Sequence, residues 1–117
     1  MATSKEFIDY ILDCLGQDRR ITTKRMFGEY AIYFDKKVVA FVCDNTFFLK
    51  INSKTTDFLR NLPPEVKPRE IRKGQAYPGS KDYYIVDEVI FENKKIFLGL
   101  LEICAEVVEI KKVKKKN

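Results

Sequence analysis

The sequence predicts an α+β fold in a single domain. An antiparallel sheet is packed by terminal helices in the order α-β-β-β-α-β-β-α. Three observations predict it. From Met26 to Ile51 apolar residues alternate with polar ones or run continuously over strand-length segments. From Phe7 to Leu15, and from Ile96 to Val108, they recur at helical spacing. Asp-Lys, Asp-Asn, Pro-Pro and Pro-Gly pairs punctuate the chain between these stretches.

Thr3-Ser4-Lys5-Glu6 reads as a capping box with Thr3 as N-cap and Glu6 reaching back. The first helix then carries the stripe Phe7, Ile8, Ile11, Leu12 and Leu15, and Gly16 supplies its stop. Gln17 to Arg25 reads as a connecting loop. Tyr30, Ile32 and Phe34 alternate against Glu29, Ala31 and Tyr33, the pattern of a strand with one wetter face. Val38 to Cys43 is a nearly continuous apolar run, which suits a central strand covered on both faces. Phe47, Leu49 and Ile51 complete a three-stranded meander.

Asn52-Ser53 predicts the cap of a shorter helix reaching about Leu62, with Phe58, Leu59 and Leu62 on its buried side. Pro63-Pro64 ends it, because proline lacks the amide and disfavours helix in the residue before it. Lys67 to Lys73 predicts an edge strand or extended segment anchored by Ile71. Pro78-Gly79 suits the central positions of a type II turn. Tyr83 to Val86 predicts the last strand, and Asp87 to Glu92 fits either a turn or one helical turn. Asn93 caps the last helix, whose Gly99 implies a close approach by another backbone.

With 117 residues and 45% hydrophobic content, the chain supports one core and one domain. Its apolar runs fall far short of the roughly 20 residues a membrane span needs. The amino terminus lacks a signal-peptide pattern, so a cytoplasmic protein is expected. Cys14, Cys43 and Cys104 lie far apart within apolar patterns and are expected as buried thiols. The chain contains no His, so no nucleophile–base pair and no metal site is expected. Asp35 and Asp44 belong to turns at opposite ends of the central strand and do not converge. Neither an enzyme nor a cofactor is expected.

The net charge of +5 divides unevenly. Residues 111–117 hold Lys111, Lys112, Lys114, Lys115 and Lys116 and no acid, which leaves 17 bases and 17 acids in residues 1–110. The folded body, 1–110, is therefore neutral and the tail, 111–117, is expected to be disordered. Arg19, Arg20, Lys24 and Arg25 form the densest basic patch of the body. Together with the tail lysines they allow weak, mainly electrostatic contact with nucleic acid. The alternative reading is a solvated loop facing the acids Asp82, Asp87, Glu88 and Glu92.

Arg25-Met26-Phe27-Gly28-Glu29-Tyr30-Ala31-Ile32-Tyr33, Phe47-Phe48-Leu49-Lys50, Ala76-Tyr77-Pro78-Gly79-Ser80-Lys81 and Tyr83-Tyr84-Ile85-Val86 together resemble the N-terminal domain of the TfoX/Sxy family of bacterial competence regulators. The resemblance implies a topology similar to secretion-chaperone-like folds and a role in transcriptional regulation through protein contacts. The family's hairpin usually has glycine where Lys36 stands, so a longer or differently shaped turn is expected here. Full-length regulators of the family carry a second, helical domain, whereas this chain runs into a lysine tail. The expectation is a stand-alone N-terminal-like domain.

Two loops supply the candidate partner surface. Met26, Phe27 and Gly28 lie in one, and Tyr77, Pro78 and Gly79 lie in the other, with aromatics suited to anchoring a partner. The competing reading is that Phe27 and Tyr77 plug an end of the core. A small-molecule-binding or enzymatic site at the same loop end is the alternative reading, and a homodimer formed by pairing of an exposed edge strand is a further expectation.

Overall fold

In the computed structural model residues 3–67 and 70–108 are described. The lysine tail and its neighbours Glu109 and Ile110 lie outside the described residues, as do Pro68 and Arg69. The elements are α1 Lys5–Cys14, β1 Ile21–Met26, β2 Glu29–Phe34, β3 Lys37–Cys43, β4 Thr46–Leu49, α2 Ser53–Arg60, β5 Arg72–Gln75, β6 Asp82–Val86, α3 Glu88–Phe91 and α4 Lys94–Val107. All six strands form one antiparallel sheet in the order β1-β2-β3-β4-β6-β5. The predicted α+β architecture is therefore correct, with one strand and one short helix added.

The added strand is β1. Ile21-Thr22-Thr23-Lys24-Arg25-Met26 was expected in a loop because its only strong apolar residue is Ile21. It pairs with β2 along its whole length. As the sheet's edge it needs one anchored residue and tolerates charge elsewhere.

Three successive two-residue turns set the register of the meander. Met26 pairs with Glu29, Phe34 with Lys37 and Cys43 with Thr46. The residues between them all have positive φ: Phe27 at 52° and Gly28 at 81°, Asp35 at 53° and Lys36 at 70°, Asp44 at 53° and Asn45 at 57°. This is the signature of type I′ turns, whose twist matches that of the flanking strands. The turn at Lys36 is thus a two-residue turn rather than the longer one expected; the lysine simply adopts the left-handed conformation.

Helix ends follow local chemistry. Ser4, not Thr3, caps α1, its Oγ accepting from the Phe7 amide at 3.1 Å. Gly16, at φ 74°, ends α1 with a Schellman pattern: its amide donates to the Asp13 carbonyl and the Gln17 amide to that of Leu12. Asn52 and Thr55 form a reciprocal capping box for α2. Asn93 caps α4 as expected, accepting from the Ile96 amide.

Every helix packs on the same sheet face. Ile8, Ile11 and Leu15 of α1, Leu59 of α2, Ile90 and Phe91 of α3, and Phe97, Leu100 and Leu101 of α4 share one buried cluster with Ile32, Phe34, Val42, Phe47 and Leu49. A bulge in β3 between the pairs Ile32–Ala40 and Tyr33–Val38 brings Val39 into this cluster as well. At its centre the rings of Phe47, Phe91 and Phe97 meet with centroids 5.1–5.9 Å apart. Gly99 of α4 accommodates the ring of Phe58, which would stand 3.3 Å from an added Cβ. The close approach expected at Gly99 is therefore that of a side chain rather than a backbone.

Replacing Lys36 by Gly removes the left-handed strain of a residue with a Cβ. The Lys36→Gly variant is expected to gain about 0.5–1 kcal/mol in urea unfolding with an unchanged m value. A loss of stability would mean that the lysine side chain makes a compensating contact.

Candidate functional site

Registers across the sheet define a second face on which no described helix packs. Lys24 opposes Ala31, Ala31 opposes Phe41, Phe41 opposes Phe48, Phe48 opposes Ile85, and Ile85 opposes Arg72. Opposed residues share a face, so this row crosses the uncovered side from edge to edge. Cys43, Phe48, Ala76 and Tyr83 form a small buried cluster there, with Phe41 and Ile85 against it.

The two predicted loops do meet on this face. The β5–β6 loop closes as the expected turn: the Ser80 amide donates to the Tyr77 carbonyl at 3.0 Å, and Gly79 holds φ 86°. Ser80 is buried, and its Oγ accepts from the Ala76 amide at 3.1 Å while donating to the Lys81 carbonyl at 2.8 Å. The loop is thereby folded back over the sheet, and Tyr77 meets Phe41 edge to face at 6.5 Å. Phe41 in turn meets Tyr83 at 5.7 Å.

Between this loop and the β1–β2 turn lies a hollow of about 460 Å³. Met26 and Phe27 line one side, Phe41 and Tyr77 the other; Glu29, Tyr30 and Cys43 complete it. Gly28, Pro78 and Gly79 shape the turns and are not part of the lining. Neither aromatic plugs the core. Phe27 is fully exposed at 101% and Tyr77 is 52% exposed. Tyr30, Phe41 and Cys43 were missed from the sequence because they sit inside strands whose apolar pattern is explained by burial alone, and Glu29 because nothing in its sequence neighbourhood sets it against Tyr77.

The amino-terminal segment fastens the β1–β2 turn. The Thr3 amide donates to the Gly28 carbonyl at 3.1 Å, and Thr3 Oγ1 lies 2.7 Å from Glu29 Oε1 and 3.2 Å from the Val42 carbonyl. Glu29 Oε1 also accepts from the Asp44 amide at 3.0 Å. The Asn45 amide donates to Thr3 Oγ1, and Asn45 Oδ1 accepts from the Ser4 amide. One threonine thus ties together the β1–β2 and β3–β4 turns, which lie side by side at the same end of the sheet.

The basic patch does not assemble. Arg20 is engaged by Asp18 at 2.9 and 3.0 Å, approaches Glu102 at 3.8 Å and lies 4.7 Å over the Phe34 ring. Hydrogen bonds from the Arg20 side chain and backbone hold the Asp18 carboxyl down to about 2. Lys24 and Arg25 are consecutive on β1, opposing Ala31 and Tyr30, and so point to opposite faces. Arg19, Lys24 and Arg25 make no ion pair among the described residues. The expected pairing with acids 82–92 is also absent, since β6 lies at the far side of the sheet from β1. The tail lysines lie outside the described residues.

A second concavity of about 430 Å³ lies between α2 and α4, lined by Ser53, Lys54, Asp57, Phe58 and Ile103 among others. It is shallower than the aromatic hollow and its lining is more mixed. Among the described residues no cluster of His, Cys, Asp or Glu could hold a metal ion, and no helix is long and apolar enough to cross a membrane.

The class so defined is an α+β domain with helices on one sheet face and an aromatic hollow on the other. The TfoX N-terminal domain family matches residues 13–107, and the chain belongs to that family. It is also 38% identical over 115 residues to a protein of Spirochaeta aurantia described as an uncharacterized 12.7 kDa protein in the trpE 5' region, covering 98% of this chain and 91% of that protein. The family expected from the sequence is the family found.

Burial pushes the thiols of Cys43 and Cys104 up to about 11, with the Glu29 and Asp44 carboxylates adding to the effect at Cys43. Because the thiolate is the reactive form, neither is expected to react with Ellman's reagent within minutes at pH 8 in the native protein, whereas both react in denaturant. Rapid native modification of Cys43, located by mass spectrometry, would show that the hollow opens to its base.

Proposed function

We propose that this chain is a non-enzymatic binding module that acts through protein contacts in bacterial transcriptional regulation of the competence type, within the cytoplasm. The observation that carries the reading is Phe27. A fully exposed phenylalanine at positive φ, on the rim of an apolar hollow, contributes nothing to the core and carries backbone strain. Exposed aromatics beside a preformed concavity are the usual anchors of protein interfaces. Membership of the TfoX N-terminal family supports the regulatory part of the reading.

The nucleic-acid reading draws less support. Of its four body residues, Arg20 is held in an internal ion pair and Lys24 and Arg25 stand on opposite sheet faces, so the set does not track a phosphate backbone together. Nor does the described surface offer a helix or strand carrying clustered cations toward base edges.

Affinity capture from an extract of a bacterium encoding the protein tests the proposal. The wild-type chain is expected to retain a defined partner that the Phe27→Ala/Tyr77→Ala variant retains about tenfold less. The Arg19→Ala/Lys24→Ala/Arg25→Ala variant is expected to retain it fully. Sequence-selective duplex-DNA binding at physiological salt, measured by fluorescence anisotropy and surviving truncation after Ile110, would overturn the proposal.

A further inference from the structure

We infer that the aromatic hollow receives the guanidinium of an arginine side chain presented by the partner protein. The inference rests on the docking reading above and gives the occupant a chemistry. Among the described residues Glu29 is the one charged residue lining the hollow, and the rings of Phe27, Phe41 and Tyr77 line it with Glu29. Its carboxylate is oriented by the bonds that Oε1 accepts from Thr3 and Asp44. Oε2 takes no hydrogen bond from the described residues, and no described cation pairs with Glu29. Lys24, two residues before Met26 and on the same face, does not line the hollow.

A half-buried carboxylate with an unused oxygen among aromatic rings is complementary to a cation. The ring faces carry negative potential, and the carboxylate adds a full charge. Among cationic side chains arginine matches best. Its planar group stacks on rings, is weakly hydrated and presents donors in a fork to an acceptor. The more strongly hydrated lysine ammonium would lose more on entering an apolar hollow. The chain builds the same combination once within itself, where Arg20 lies over Phe34 and donates to Asp18.

The test uses the full chain and two probes, acetyl-Leu-Arg-Leu-amide and its citrulline counterpart, which is nearly isosteric and uncharged. Binding is followed by NMR titration of the Met26 methyl and the Phe27 and Tyr77 signals. The arginine peptide is expected to shift these signals and to bind about tenfold more tightly than the citrulline peptide. In Glu29→Gln, whose amide oxygen can still accept from Thr3 and Asp44, the two affinities are expected to converge within about twofold. An unchanged melting temperature separates that result from a loss of fold. Phe27→Ala, which removes a side chain exposed in the free protein, is expected to weaken both probes.

Equal affinity for the two probes in the wild-type protein would overturn the inference, as would arginine-peptide shifts confined to residues outside the hollow. So would failure of both probes to bind. The docking reading is decided separately: a captured partner that is lost with Phe27→Ala/Tyr77→Ala but kept with Glu29→Gln overturns the arginine inference alone.

Discussion

The contact on which the rest of the structure depends is the packing of Phe47, Phe91 and Phe97. It joins the fourth strand to the two C-terminal helices, and Phe7 of the first helix reaches Phe91 at 6.4 Å, so three helices and the sheet meet at one point. Aromatic side chains combine a large buried area with edge-to-face preferences that fix orientation. Because this contact holds the described helices to one face, none of them is left to cover the other. The uncovered face must then be either polar or apolar with another use. Here it is apolar along its central strands, and the β5–β6 loop covers only part of it.

How much of this was legible depends on the range of the interaction. Period-two and helical spacing are properties of one strand or helix, and they located the meander, the first and last helices and the final strand. The first strand escaped because an edge strand with Thr22, Thr23, Lys24 and Arg25 exposed or half-buried has the composition of a loop. Turn type at Lys36 escaped for a different reason. Lysine has no preference for positive φ, and only the pairing of Phe34 with Lys37 forces it there.

The candidate site was half legible. Phe27 and Tyr77 stand in turns with glycine beside them, and that local signal suffices to mark a loop bearing an exposed aromatic. Phe41, Cys43 and Glu29 are strand residues, and in the sequence burial accounts for the first two as well as any binding role does. What unites them with Tyr77 is the fold of the β5–β6 loop around the Ser80 hydroxyl, which sets Tyr77 against Phe41 in a contact across more than 30 positions that no spacing rule encodes. Thr3 is the clearest case. Its sequence neighbourhood signals a helix cap, while its hydroxyl is engaged by residues on two other turns.

The same network bears on why strain at Phe27 is tolerated. A residue with a Cβ in the left-handed region costs about 1–2 kcal/mol relative to the right-handed one, and Asn or Gly would meet the demands of the turn more cheaply. The hydrogen bond from the Thr3 amide to the Gly28 carbonyl, and Glu29 held by Thr3 and Asp44, constrain that turn from the segment that precedes the first helix. An aromatic ring on a turn so held loses little further backbone freedom when a partner closes over it, which is the condition under which an exposed anchor converts buried area into affinity. The turn therefore trades a small part of the domain's stability for a ring that is already positioned beside the carboxylate and the hollow. A docking partner would give that trade a physical return, and it is the strain and the exposure together that make this face, rather than the scattered arginines, the one we propose as the docking surface.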